Sequence, residues 1–115
     1  MKYQVVFHLD DDSDYGVNIT LNNIENLIAD MGIDNVEIEV VTYGRGVNIL
    51  KRNSNTYPNR IKKLINNKIQ FTACSNTVRA MNLQEKDLMD GVVIVRSGIG
   101  ELVRKQSEGW LYIRP

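Results

Sequence analysis

The 115-residue chain is long enough for one domain with one core, and its 43% hydrophobic and 24% charged residues are those of an ordinary globular protein. Fourteen basic residues balance fourteen acidic ones, and the basic residues are scattered along the chain. The protein therefore has no net electric field that would attract nucleic acid or an anionic membrane, and we expect neither as a partner. The single cysteine excludes an internal disulfide and a cysteine-rich zinc site.

The first half of the chain predicts a strand, a helix and a second strand. Residues 3–9 (YQVVFHL) are apolar and β-branched, which is typical of a strand covered on both faces. An acidic run at 10–14 ends this strand, too early for a signal peptide or a membrane span, so we expect a cytoplasmic protein with a free thiol. Apolar residues recur at helical spacing from Val17 to Met31, and Gly32 supplies a stop. Residues 36–43 (VEIEVVTY) predict the second strand, alternating in its first half.

The second half predicts three more strands separated by helices. A short helix follows Gly46, and Pro58 opens another. The third strand, 69–74, ends on Cys74 and is followed by a helix through 78–81, with a further turn at 85–88. Residues 92–95 are an uninterrupted β-branched run, predicted as a buried strand. A helix with Leu102 and Val103 inward and a last strand at 110–113 complete the chain.

Strands that alternate with helices favour parallel pairing, right-handed crossovers and helices on both faces of the sheet. We find no linker, internal repeat or low-complexity segment. The sequence therefore predicts a single three-layer α/β domain over residues 1–115.

The carboxyl ends of parallel strands share one edge of the sheet, where ligand sites gather. Four groups of residues are predicted to meet at this edge: His8 with Asp10, the turn Gly44-Arg45-Gly46, Cys74 with Asn76, and Ser97 with Gly98.

Cys74 is the candidate nucleophile, because it precedes Ser75, Asn76 and Thr77, residue types that start helices. Free N–H groups and the helix dipole at such a junction favour the thiolate. The alternative is an inert cysteine that packs as a small hydrophobic residue.

His8, the only histidine, is either a base or hydrogen-bond partner for Cys74 or a packed side chain satisfied by a backbone carbonyl. Arg45 and Arg79 are either anion-stabilising groups or surface charges. Gly44 and Gly46 form either a tight turn or a small anion-binding nest of N–H groups.

Two familiar motifs fail. The third glycine of a dinucleotide fingerprint falls on Ile49. An EF-hand loop that begins at Asp10 has Tyr15 and Leu21 where glycine and glutamate are needed. The acidic run is thus interpreted as a solvated turn in which Asp14 or a neighbour caps the helix, and no metal site is predicted.

The sequence resembles the DsrE/DsrF-like family in five segments: KYQVVFHL (2–9), NNIENLIADMG (22–32), VEIEVVTYGRG (36–46), FTACSNT (71–77) and SGIGELVRKQSEGWLYIRP (97–115). The resemblance implies a three-layer α/β/α fold around a five-stranded parallel sheet, and homotrimers or hexamers. It also implies a sulfur-relay role, because some relatives carry a persulfide on a cysteine in the loop after the third strand, where this chain has Cys74.

We therefore predict a sulfur carrier or sulfurtransferase component without cofactor or metal, which receives sulfur on Cys74 from a donor protein and passes it to an acceptor protein. N–H groups near Asn76 and Thr77, with His8, would stabilise the thiolate or persulfide. The alternative is a non-catalytic binding module for a small anionic ligand or a protein partner, in which Cys74 only packs. The apolar C-terminus (109–113) is either an edge strand packed under a helix or a surface buried by another subunit.

Overall fold

Five parallel strands form the centre of the protein in a computed structural model that describes residues 2–115. The strands are β1 (Tyr3–Leu9), β2 (Val36–Thr42), β3 (Gln70–Cys74), β4 (Val93–Val95) and β5 (Leu111–Ile113). They lie in the order β4-β3-β2-β1-β5, so β2 is central and β4 and β5 are the edges. Phe7 of β1 pairs with Val40 of β2 on one side and with Ile113 of β5 on the other. The predicted α/β class and five-stranded parallel sheet are confirmed.

Four helices cover the two faces of this sheet. They are α1 (Asp14–Met31), α2 (Pro58–Asn66), α3 (Ser75–Ala80) and α4 (Gly98–Ser107), and short 3₁₀ turns span Ile33–Asn35, Gly44–Leu50 and Glu85–Asp87. The first three crossovers step in one direction across the sheet and the last returns from β4 to β5. Since such crossovers are right-handed, α1, α2 and α3 lie on one face and α4 lies alone on the other.

The two faces have separate cores. Val17, Leu21 and Ile24 of α1 pack with Ile61 and Leu64 of α2 against the first face. On the second face, the buried cluster is smaller and contains Val6, Val41, Leu102 and Trp110. A single ten-residue helix cannot cover five strands, so the edges of the second face stay open.

This uneven cover makes two detailed predictions wrong. The run at 92–95 is not a buried strand: β4 has only three residues, and Val93 is 44% exposed because it lies on an edge strand. Val103 does not point inward either but is 61% exposed, since it follows the buried Leu102 and a helix turns by about 100° per residue.

The helix starts follow local hydrogen bonding. Ser13 caps α1, because its hydroxyl oxygen accepts the Gly16 N–H at 3.0 Å while the hydroxyl donates to Asp11 Oδ2 at 2.6 Å. The cap is therefore a neighbour of Asp14, and Gly32 ends α1 with φ of +91°, as predicted. Within residues 2–115, no helix has the length and apolar character that crossing a membrane requires.

Candidate functional site

Cys74 lies at the carboxyl edge of the sheet, where it ends β3 and forms the N-cap of α3. Its side chain is 6% exposed. Because side chains alternate along a strand, Cys74 shares the face of Thr72, which is the face that α4 covers. The predicted junction of strand, cysteine and helix start is confirmed.

Two helix starts converge on the Cys74 thiol. Burial alone would raise its pKa, but the N–H groups of Gly98 and Thr77, the Thr77 hydroxyl and the Asn76 N–H together hold the pKa below its usual value. Thr77 and Asn76 belong to the first turn of α3, whereas Gly98 is the first residue of α4. Donors to sulfur stabilise the thiolate selectively, so the site favours a negatively charged sulfur.

Thr77 also joins the site to the loop after β2. Its Oγ1 accepts the N–H of Gly44 at 2.9 Å, which leaves its own hydroxyl hydrogen free to point toward the thiol. The N–H of Gly46 donates to the carbonyl oxygen of Tyr43 at 3.1 Å. The N–H groups of both glycines are thus used inside the protein, and they support Thr77 and the turn.

The other predicted polar residues lie at the rim of the site. Asn76 is exposed, and its side-chain oxygen accepts from Arg79 Nη2 at 2.6 Å, so this arginine is held on the surface of α3. Arg45 is exposed as well. Hydrogen bonds from Ser13 lower the pKa of Asp11, and the charge of Arg45 lowers it further. Asn76 therefore reaches the thiol through its backbone N–H alone.

His8 is the centre of a separate cluster over β1 and β5. Its Nδ1 lies 2.6 Å from Tyr112 Oη and its Nε2 lies 2.8 Å from Tyr43 Oη. Arg114 lies against the ring, with Nη1 3.1 Å from Nε2, and pairs with Asp10 at 3.5 Å. Burial lowers the pKa of His8, and the charge of Arg114 lowers it further against the opposing effect of Asp10, so the imidazole is neutral near pH 7.

The structure keeps His8 and Cys74 apart. They lie on strands separated by β2, which places their backbones roughly 10 Å or more from each other. Tyr43 follows β2 on the same face and stands between them. Its side chain packs so closely on Gly98 that a Cβ added there would come within 2.9 Å of the Tyr43 Cβ and 3.0 Å of its ring. No hydrogen bond joins the two predicted site residues within residues 2–115, and their link runs through Tyr43 and the start of α4.

A small cavity of about 110 Å³ opens beside the His8 cluster. Its lining includes His8, Asp10, Thr20 and Arg114. The cavity has room for a few water molecules or a small ion. Its lining carries charges of both signs, because Arg114 is paired there with Asp10.

Sequence reasoning did not find Tyr43, Tyr112 or Arg114. Tyr43 could have been found, because it comes directly after β2 at the edge where the other candidates lie. Tyr112 and Arg114 lie beside His8 only because β5 returns to pair with β1, a long-range register that local pattern does not specify.

Comparison with known proteins supplies a family for this geometry. The sequence model of the DsrE/DsrF-like family matches residues 4–115. Among proteins with curated functional descriptions, none matches the chain significantly.

Solved structures match over nearly the whole chain. A protein of unknown function from Methanobacterium thermoautotrophicum, MTH1491, is 46% identical, with a TM-score of 0.94 over 99% of this chain and 100% of the other. The YchN protein of E. coli has a TM-score of 0.81 at 13% identity, with all of both chains covered. A protein of unknown function from Bacteroides thetaiotaomicron, BT1422, has a TM-score of 0.76 at 14% identity over 97% of this chain and 94% of the other. The last two likenesses concern the fold alone.

Proposed function

Because the chain belongs to the DsrE/DsrF-like family, we propose that it is a sulfur-relay protein that carries sulfur as a persulfide on Cys74. The observation that carries this proposal is the convergence of N–H groups from α3 and α4 on the thiol, with the lowered pKa that results. A thiolate is both the attacking and the leaving form of sulfur in such transfers.

The proposed transfer consists of two exchanges that balance without an oxidant. The Cys74 thiolate attacks the outer sulfur of a donor persulfide, a bond from Sγ to that sulfur forms, and the donor S–S bond breaks to release the donor thiolate. An acceptor thiolate then attacks the same outer sulfur, and Cys74 leaves as a thiolate. The N–H groups of Gly98 and Thr77 favour the charged form of Cys74 in both steps.

His8 has an indirect role in this proposal. Its ring nitrogens are engaged by Tyr43 and Tyr112, so it holds Tyr43 against Gly98 and supports the start of α4 rather than acting as a base on the thiol. Arg79 and Arg45, exposed at the rim, are available to an anionic donor or acceptor surface.

We propose further that the protein works in the cytoplasm as a homo-oligomer. Apolar side chains are exposed along β5 and on the outer side of α4, where Leu111 is 56%, Ile99 54% and Val103 61% exposed. Such surface is costly to leave in water and is typical of an interface. A trimer or hexamer would cover it, whereas sedimentation of a monomer at micromolar concentration would contradict this part of the proposal.

The test of the carrier function is sulfur loading followed by intact mass measurement. Incubation of the native protein with a persulfide donor is expected to add one sulfur atom, and a small thiol is then expected to remove it. Cys74→Ser is the matched control, because it keeps the size of the side chain and removes the nucleophilic sulfur. Equal labelling of the wild-type and Cys74→Ser proteins, or none in either, would contradict the proposal.

One observation favours a second candidate, a binding module in which Cys74 only packs. The thiol is 6% exposed, while the cavity beside His8 and Arg114 has room for a small ion. In that case Cys74→Ser would leave ligand or partner affinity unchanged, and Arg114→Ala would reduce it.

A further inference from the structure

Glu39 is a carboxyl buried at the centre of the sheet. It lies on β2, the middle strand, and its residue exposure is 0%. Its side chain points to the face that α4 covers, as does that of Val41, two residues along. Fully buried acidic residues are rare unless they are paired, so this position needs a physical explanation.

The hydrogen bonds of Glu39 are incomplete. Thr72 donates to Oε2 at 3.1 Å, but Oε1 has no hydrogen-bond donor within residues 2–115. Lys105 Nζ lies 3.8 Å from Oε1, beyond hydrogen-bonding distance, and it is shared with Glu108 and the ring of Trp110. One lysine at this range does not compensate a buried carboxylate.

A second carboxyl, that of Glu101, lies on the helix that covers Glu39. Glu101 comes one turn before Lys105, whose Nζ lies 3.8 Å from Glu39 Oε1, so both residues share the face of α4 that meets β2, and the Glu101 side chain is only 13% exposed. Two carboxylates in this position repel each other, whereas one proton between them makes a hydrogen bond and satisfies the unpaired oxygen. Burial, and then the neighbouring Glu101, raises the pKa of Glu39 to about 8, against the opposing effects of Lys105 and Thr72.

The same turn of α4 carries both Glu101 and the N–H group that faces Cys74. Gly98 is the first residue of α4, and the N–H of Glu101 donates to the carbonyl of Ser97 at 2.9 Å to close the first turn. A change in how Glu101 rests on the sheet therefore moves Gly98, which stabilises the thiolate of Cys74.

We propose that Glu39 and Glu101 share one proton between β2 and α4, and that this shared proton positions the start of α4 against Cys74. Loss of the proton to solvent in mildly alkaline conditions leaves two carboxylates in contact, pushes α4 outward and withdraws the Gly98 N–H from the thiol. Glu39 and Glu101 are positioning residues, and the proposal rests on the proposed function only in taking Cys74 as the reactive group.

The remaining charged groups near Glu39 and Glu101 lie on α4 and β2. Arg104 lies 3.3 Å from Glu101 on the solvent side of α4, and Lys105 approaches Glu39 from the same helix. Glu37, on the same strand, is exposed and accepts from Gln4 at 2.8 Å. From β3, the neutral Thr72 donates to Glu39.

The first test follows the Gly98 amide resonance from pH 5 to 9.5 by NMR in the Cys74→Ser protein, where no thiol titrates. We expect an inflection near pH 8, its loss in Cys74→Ser/Glu39→Gln, and its retention in the control Cys74→Ser/Glu37→Gln. Glutamine stands for the protonated acid, because its amide donates to Glu101 at every pH. A flat Gly98 resonance, or an inflection that survives Glu39→Gln, would overturn the proposal.

The second test compares the pH dependence of Cys74 alkylation in otherwise native proteins. Glu39→Gln is expected to lower the midpoint of Cys74 alkylation by about half a pH unit, which corresponds to an approximately threefold rise in the alkylation rate below the midpoint. Glu37→Gln is expected to leave the midpoint unchanged. If Glu39→Gln does not fold, Glu101→Gln takes its place and is expected to move the Gly98 inflection to lower pH. Both readouts are independent of sulfur transfer, so failure of the carrier function alone would leave them intact, whereas identical midpoints in wild type and Glu39→Gln would refute the coupling.

Discussion

Replacing Glu39 with glutamine removes a titrating group from the interface between β2 and α4 and keeps the shape of its side chain. In the folded protein the pKa of Glu39 is raised to about 8 by burial and by Glu101, compared with an ordinary value of 4.5. Between these two values the folded state holds a proton that the unfolded state has released. The free energy of unfolding of the wild type must therefore fall as pH rises through this window.

The size of this effect follows from the two pKa values. Each pH unit between 4.5 and about 8 is worth ~1.4 kcal/mol, so the full window corresponds to about 5 kcal/mol as an upper limit. Glutamine does not titrate, and the Glu39→Gln protein lacks this contribution. We expect the variant to have nearly wild-type stability at pH 5 and to gain relative to wild type by about 1 kcal/mol or more per pH unit up to pH 7.5.

Urea unfolding at pH 5, 6, 7 and 7.5 measures this difference directly, provided that the slope with denaturant is the same for both proteins. Glu37→Gln is the control, because its carboxyl lies on the same strand but is exposed, and its stability is expected to run parallel to wild type. Parallel stability curves for Glu39→Gln and wild type would refute the shared proton. A Glu39→Gln protein less stable than wild type at pH 7.5 would have the same consequence.

Two further substitutions test the packing of the loop after β2 and the surroundings of the thiol. Gly46→Ala places a methyl group against the backbone of Leu9, 3.0 Å from its carbonyl carbon, so we expect the free energy of unfolding in urea to fall by about 1–3 kcal/mol. The control is Gly100→Ala, whose methyl group meets flexible side chains and should cost less than about 1 kcal/mol. Equal losses in the two variants would contradict the close approach of Gly46 to Leu9. Thr77→Ala removes a hydroxyl that stabilises the thiolate, and we expect the alkylation midpoint of Cys74 to rise by about half a pH unit or more, with Thr77→Ser unchanged. An unaltered midpoint in Thr77→Ala would show that the hydroxyl does not act on sulfur.

Local pattern predicted the element types and the carboxyl-edge position of Cys74, because those follow from short-range periodicity and helix-start chemistry. It misjudged β4, since a run of β-branched residues has the same composition at an edge as in the centre of a sheet. Edge or centre is decided by strand order, which depends on contacts between distant segments.

Glu39 shows the same limit of prediction from local sequence pattern. The alternation in VEIEV indicates one apolar and one polar face, and a polar face is ordinarily solvated. The face is buried here because α4 returns across the sheet from β4 to β5. Neither the buried carboxyl nor its proximity to Glu101 has a local signature, and the surroundings of His8 depend on the same long-range return of the chain.

The central claim is that the native fold stabilises the Cys74 thiolate, and the thiol pKa measures it most directly. The ultraviolet absorbance of the thiolate, followed against pH in native wild type with Cys74→Ser as the blank, gives this value without a reagent that must reach a 6% exposed side chain. The N–H groups of Gly98 and Thr77 predict a native midpoint below that of the same thiol in urea-unfolded protein. A native midpoint equal to or above the unfolded one would mean that burial outweighs those donors, and the carrier proposal would lose its physical basis.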